Sequence, residues 1–385
     1  RGRILADDGT PIEGAAVTLV NVSTGRRFLG RSRTGGLYNV ENVAVGGPYT
    51  LDARLIGYQS PRRTGFSLSL GQVLELNLQM TRAAVQLDEV VVTADEQNPV
   101  FGPDVQGTQL GLTDSSLRRL PTLDREFSDF VRLTPQVAER DEGGISVAGQ
   151  NNRFNTIQVD GSTVNDRFGL GRTGQTGGQA GGRAVGLEAV KEYEVLLAPY
   201  DVRQGNFTGA LINAVTKNGT NEFHGSAFYY FRNQDFSGDP LGLTKFSQHQ
   251  FGASLGGPVQ RDKAHFFANA EFRRRSTPAR GPYLGQPASL GTVRATQAQL
   301  DALNAALTSY GLPASGAGGL ITNTNPLNNL LARVDYEVSG RSRLVFRYIY
   351  NTAQDDIFSR GATGTYDLST VGYKFNSRTH NPSIQ

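Results

Sequence analysis

The chain has 385 residues, with 38 Lys and Arg against 35 Asp and Glu, a net charge of +3 and no Cys. That length holds two or three domains; the missing thiols exclude a disulfide framework and thiolate metal sites, and the near-balanced charge gives no reason for a nucleic-acid partner. Glycine is abundant, at 47 residues, which favours turns and strands, and no run of 18 apolar residues exists; this excludes a helical membrane span but not a β-barrel, whose alternating strands score weakly. The opening Arg1-Gly2-Arg3-Ile4-Leu5 already reads as a strand without a basic-then-apolar leader, so a mature or trimmed form is expected.

Residues 1–81 alternate short β-rich runs with turn clusters, as an all-β domain does. Strands are expected at 15–21, after the turn Asp7-Asp8-Gly9-Thr10-Pro11, at 37–40 after Thr34-Gly35-Gly36, at 49–54 after Gly46-Gly47-Pro48, and at 73–78. In the last run Leu74, Leu76 and Leu78 share one face, and Val73, Glu75 and Asn77 the other, the signature of one buried and one wet face. The stretches GTPIEGAA (9–16), GGLY (35–38), GPYTL (47–51) and Gly57-Tyr58 resemble the carboxypeptidase regulatory-like, or transthyretin-like, domain. The resemblance implies an accessory β-sandwich. Peptidase chemistry is not expected, because the segment holds no His and zinc peptidase sites need ligands at fixed spacing.

Residues 82–104 read as a tether carrying one strand. Three consecutive Val are poor helix formers, and polar flanks leave the strand without a sequential partner, its backbone free for another chain. Asp88, Glu89, Val90, Val91, Val92, Thr93 and Ala94 resemble the TonB box of TonB-dependent receptors. An edge strand of the sandwich is the alternative.

Residues 105–220 mix short helices and strands. Asp114 or Ser115 is expected to cap a helix that Pro121 stops after Leu120. Leu123, Phe127, Phe130 and Val131 share one face of a helix expected over 123–133, and strands are expected at 145–148, 156–159, 190–196 and 210–216. Three blocks, 145–161 with Gly149, Gln150, Arg153, Asp160 and Gly161, 187–195, and 208–217 with Gly209 and Asn213, resemble the plug of TonB-dependent receptors. The Oar-like subgroup, which carries the same N-terminal sandwich, is the nearest, and Ala198-Pro199-Tyr200-Asp201 fits it. The GxGxxG match at 169–174 lacks the strand–turn–helix setting of a dinucleotide site; with further glycines following, 169–186 is expected to be a mobile loop. Asp141-Glu142 is read as a solvated loop rather than an acid–base pair, since no His lies near. No catalytic residue, metal ligand or cofactor is expected.

Residues 221–385 change rhythm. Phe266, Ala268, Ala270 and Phe272 oppose His265, Asn269, Glu271 and Arg273, which share their face with Phe267. Ala332, Val334, Tyr336 and Val338 oppose Arg333, Asp335 and Glu337, and Leu344, Phe346, Tyr348 and Tyr350 oppose Arg347. In a membrane barrel the apolar row faces lipid and the charged row the lumen. Short turns at 256–263 and 339–342 alternate with long links, one of about fifty residues holding a helix at 297–310, as turns and loops do in outer-membrane barrels. Strands too few to close a plugged barrel imply further strands in a longer protein.

The expected fold is mainly β: a transthyretin-like sandwich (1–81), a linker with the TonB box (82–104), a mixed α/β plug (105–220) and a partial antiparallel transmembrane barrel (221–385). The resemblance implies a non-enzymatic bacterial outer-membrane receptor with its N-terminal domain in the periplasm. Its partners would be TonB, outer-membrane lipid and an unidentified ligand. A passive surface or adhesion protein anchored by its barrel is the alternative.

Overall fold

A computed structural model describes the chain except residues 83–90, 94–107, 123, 132, 135, 141–143, 169–170, 172, 199–204, 206, 238–244, 287–292, 294, 340–341 and 361–365. The N-terminal part contains β1 (Gly2–Ala6), β2 (Ala16–Asn21), β3 (Arg27–Arg31), β4 (Leu37–Tyr38), β5 (Gly46–Arg54), β6 (Arg62–Leu68) and β7 (Leu78–Met80). They form two facing sheets, β4-β1-β7 and β3-β2-β5-β6. Alternation supplies the core: Val17, Leu19, Leu51 and Ala53 are buried, and Tyr49 lies between Phe28 and Phe66 with ring centroids 6.3 and 6.1 Å away. The Tyr49 hydroxyl donates to Ala44 O at 2.6 Å, which satisfies its polar end.

The strand expected at 73–78 begins only at Leu78. Ahead of it, single bonds replace a ladder: Leu76 N donates to Arg1 O, and the Asn77 side chain takes Arg3 N. A larger difference concerns Val91–Thr93. These residues form β8, which adds to the second sheet parallel to β6 in the register Arg62↔Val91 to Thr64↔Thr93. The expectation of an unpartnered strand is therefore corrected. β6 offers an open edge of backbone donors and acceptors, and an extended β-branched run satisfies them.

The middle of the chain folds as β9 (Thr108–Thr113), β10 (Val137–Arg140), β11 (Gly144–Val147), β12 (Thr156–Val159), β13 (Ser162–Thr163), β14 (Val190–Ala198) and β15 (Leu211–Thr216), with α1 (Asp114–Arg119) and α2 (Phe127–Val131). Five strands make a central sheet in the order β13-β12-β15-β14-β9, with β12 and β15 parallel, while β10 and β11 form a separate hairpin. Thr113, not Asp114 or Ser115, is the N-cap of α1; Asp114 lies in the first turn and pairs with Arg118 (3.1 Å) and Lys217 (3.0 Å). The helix expected over 123–133 shrinks to α2. The Asp129 carboxylate takes the hydroxyl of Thr122 and the N–H groups of Asp124 and Glu126, and Arg125 sits at φ +54, outside helical space.

The remaining strands are β16 (His224–Asn233), β17 (Ser247–Gln260), β18 (Ala264–Pro278), β19 (Thr322–Ser339), β20 (Ser342–Ile357) and β21 (Tyr373–Ile384), antiparallel neighbours in sequential order, with the short helix α3 (Gln234–Ser237) after β16. These six strands form one antiparallel wall, and among the described residues β16 and β21 do not pair. Its short links follow β17 and β19; its long links include α4 (Gln297–Ser309), which opens with a capping box between Thr296 and Gln299. The turn expected at 256–263 is tighter, since Gly256, Gly257 and Pro258 stay in the ladder opposite Phe267, Phe266 and His265. Phe251, Leu255, Val334, Tyr336 and Phe346 are exposed on the outward face. On the inward face Phe267, Leu331 and Ile349 join the apolar cluster of the central sheet.

Candidate functional site

The seam between the central sheet and the wall gathers several deeply buried charges, Glu271, Arg273 and Arg347 among them. β12 ends in Asp160-Gly161, with φ +47 and +76, a left-handed pair that Asp and Gly tolerate in a two-residue turn. This turn aims the Asp160 carboxylate at two partners. Oδ1 takes Thr216 N (2.8 Å), and Oδ2 takes the Thr216 hydroxyl (2.7 Å) and Arg347 Nη1 (2.7 Å). Arg347, among the largest fully buried side chains, also donates to Val159 O at 2.6 Å. Arg333 stands 3.6 Å from the same carboxylate and makes a two-pronged pair with Asp335 (2.8 and 2.9 Å). Two strands of the sheet and two of the wall thus meet at one acid.

A second cluster lies further along the seam. Arg183 and Arg273 each reach Glu126 at 2.9 Å, Arg183 stands 3.5 Å from Glu271, and Glu271 takes a bond from Gln250 at 2.6 Å. Arg125 pairs with Glu188 (2.7 Å) and stacks over Phe228 and Tyr230. Glu271 Oε2, Arg273 Nε, Asn351 Oδ1 and both side-chain polar atoms of Asn329 are buried without a hydrogen-bond partner. Polar atoms buried in this way are commonly bonded by water. Beside the seam a cavity of about 20 Å³ is lined by Ile157, Gln175, Arg183 and Tyr193, room for about one water.

The structure brings only some of the expected site residues together. Asp160, Gly161 and Asn213 are joined, Asn213 Oδ1 accepting Gly161 N at 3.3 Å. Gly209 packs so closely on Asn155 that a Cβ would overlap its side-chain oxygen. Gly149 and Gln150 form the exposed turn after β11, Gln150 N donating to Val147 O, and Arg153 is exposed on the following 3-10 turn. Of the segment expected as a TonB box, Val91, Val92 and Thr93 lie on β6, while Asp88, Glu89, Val90 and Ala94 are outside the described residues, as are Asp141-Glu142 and Pro199 to Asp201. Over 173–186 the segment expected to be a mobile loop packs against the wall. Gln175 Oε1 takes Ala184 N, and Asn325 and Asn351 of the wall bond Ala180 O and Ala184 O. Packing against the wall overrides the glycine content.

Sequence reasoning missed Arg125, Glu126, Arg183 and Glu188 as seam residues. It placed Glu271, Arg273, Arg333 and Arg347 on an inward charged row without finding their partners. Among the described residues no three His, Asp or Glu side chains gather as a metal set, and no helix is long and apolar enough to cross a membrane.

β14 also carries the charged residues Lys191, Glu192 and Glu194. Burial pushes the carboxyls of Glu192 and Glu194 up to about 7, the latter also through its neighbour Glu192. Burial, with help from Arg333, brings the Lys191 ammonium down to about 8.

Comparison with known proteins agrees with this architecture. The carboxypeptidase regulatory-like domain family matches residues 1–81, and the outer membrane beta barrel domain family matches residues 215–287. The chain is 29% identical over 255 residues to the TonB-dependent transporter Oar of Myxococcus xanthus, covering 60% of this chain and 22% of that protein. It is 32% identical over 184 residues to the ferrienterobactin receptor of Escherichia coli, covering 44% and 23%. Among solved structures, the outer membrane transporter YddB of Escherichia coli aligns with a TM-score of 0.48 at 15% identity, over 66% of this chain and 34% of that one. The chain spans about a quarter of the length of the curated relatives it matches. The matched domains are a carboxypeptidase regulatory-like domain and part of an outer membrane beta barrel domain, and the curated relatives are TonB-dependent transporters and receptors of the outer membrane. Over its matched residues the chain is a homologue of the Oar transporter.

Proposed function

We propose that the chain is part of a transporter that moves a ligand across the outer membrane with energy delivered through TonB. In this reading residues 105–220 are the plug, residues 1–81 lie in the periplasm, and Asp88 to Ala94 are the TonB box. The observation that carries it is the buried Asp160–Arg347 contact, which fixes a folded sheet against the inward face of a barrel wall. A lumen filled in this way stays shut until the sheet moves, and moving it takes work against buried ion pairs. The ligand passes by a conformational step, without covalent chemistry or a cofactor.

Strand addition rests on main-chain hydrogen bonds more than on side-chain identity. The test is binding of the purified periplasmic domain of TonB to the full-length receptor. Val91→Ala is expected to keep binding within a few-fold, and Val91→Pro to abolish it, because proline removes a donor and fixes φ. Full binding by the proline variant would end the TonB reading. The pairing of β8 with β6 favours a second reading, in which this strand belongs to the sandwich and the barrel is a passive anchor. That reading predicts that Val91→Pro lowers receptor abundance in the membrane.

A further inference from the structure

The sandwich holds two separate parts of the protein at once. On the central sheet, Lys191 Nζ donates to Val45 O at 2.7 Å, and the next residue, Glu192, takes Leu70 N at 3.4 Å. On the wall, Arg26 Nε meets Glu337 Oε1 at 3.3 Å near the end of β19, with both side chains only about one-fifth exposed. Asn221, just ahead of β16, donates its N–H to Ser23 O at 2.9 Å, and its side chain bonds Asp262 in the short β17–β18 turn at 2.6 Å. Gly25, at φ +71, lets the sandwich approach this turn so closely that any side chain there would overlap the Asp262 carboxylate.

All the wall contacts fall at the short-turn end. The sheet contacts fall on β14, which is an interior strand bonded to β15 on one side and β9 on the other. A displacement of the central sheet along the wall therefore has two courses. It breaks the Lys191 and Glu192 contacts, or it drags the sandwich off Glu337, Asn221 and Asp262. Either course adds to the seam a resistance that the seam's own ion pairs do not provide.

We infer that the N-terminal sandwich is a latch: it pins β14 to the short-turn rim of the wall and must let go before the central sheet can move. The proposed transport reading supplies the purpose of such a latch, but the contacts themselves do not involve TonB, so the two ideas fail separately. The latch also gives the N-terminal domain a mechanical task beyond an accessory place in the chain.

The test uses the full-length receptor in detergent or lipid, with hydrogen exchange of the Val190–Ala198 amides as the readout. A Cβ built on Gly25 lies 3.1 Å from the Asp262 Cβ, close to disulfide reach, and no native Cys competes. In Gly25→Cys/Asp262→Cys, oxidation should slow β14 exchange about tenfold in sub-denaturing urea relative to the same protein reduced. Arg26→Glu, which needs no strained residue, should speed it about tenfold, and Arg26→Glu/Glu337→Arg should restore it. If β14 exchanges equally in the oxidised and reduced pair and in Arg26→Glu, the sandwich is no latch. Failure of TonB binding in the previous experiment would leave these exchange results untouched.

Discussion

Replacing Asp160 by Ala probes the seam at its most connected point. The carboxylate makes three hydrogen bonds of 2.7 to 2.8 Å, one of them to Arg347. Its loss strands the Arg347 guanidinium, only 2% exposed, although Val159 O still accepts one of its protons at 2.6 Å. Breaking one partner of a buried pair costs about 3–5 kcal/mol, and the surviving carbonyl bond places this case at about 3 kcal/mol. Ala also loses the tolerance for φ +47 that Asp has at this turn, a smaller cost of about 1 kcal/mol. Asp160→Asn isolates the charge, because Asn accepts the same left-handed conformation. The assay is denaturant-dependent hydrogen exchange of β12 and β15 in the full-length receptor. Asp160→Asn/Arg347→Met should recover much of what Asp160→Asn loses, because no charge remains uncompensated. Additive losses in this cycle, or a loss below about 1 kcal/mol in Asp160→Ala, would refute the account of the seam as a charge-clamped contact.

Three further outcomes are expected. Gly219→Ala places a Cβ against Phe266 O and 2.7 Å from Gly257 O, and since backbone must shift, a loss of about 1–3 kcal/mol is expected in a detergent melt; an unchanged melt would show that this junction is loose. Glu192 and Glu194 have carboxyls raised to about 7, so the stability they contribute is fully present below pH 4.5 and is lost as pH rises through about 7; Glu192→Gln/Glu194→Gln should flatten that fall in exchange measured from pH 5 to 8, and an equal slope would show that they titrate as exposed groups. Ser309→Cys, exposed at the end of α4, should react with an impermeant maleimide on intact cells, whereas labelling only after the outer membrane is opened would invert the proposed topology.

The wall strands β18, β19 and β20 were legible because apolar and polar residues alternate along them. The row Phe266, Ala268, Ala270 and Phe272 is the outward face of β18, and Glu271 and Arg273 lie inward as expected. The Asp160–Arg347 pair was not legible, since 187 positions separate its members and no local spacing records the contact. Arg183 was hidden for a related reason: its neighbours suggest only a glycine-rich loop, and the wall that orders them comes far later in the chain. The pairing of β8 with β6 was legible only as the alternative of an edge strand, because a short parallel contact carries no turn signal, unlike a hairpin. At 123–133 the apolar spacing was right, but the Asp129 side chain competes for backbone N–H groups, as short polar side chains do near helix starts.

The two-faced wall has a consequence for how such a protein can be rebuilt. Outward positions such as Val334, Tyr336 and Phe346 ask only for apolar bulk, so residues there can be exchanged one at a time. Inward positions such as Arg333 and Arg347 are matched to particular atoms of Asp160 and Val159, and no single replacement keeps the match. A central sheet grafted from a relative into this wall would arrive with its charges out of register, and a wall grafted around this sheet would fail in the same way. Those two parts are inherited or transplanted as one unit. The sandwich meets the rest partly through its carbonyl oxygens at Val45 and Ser23, which any sequence supplies, so an exchanged sandwich needs to keep only Gly25 and Arg26 at the wall.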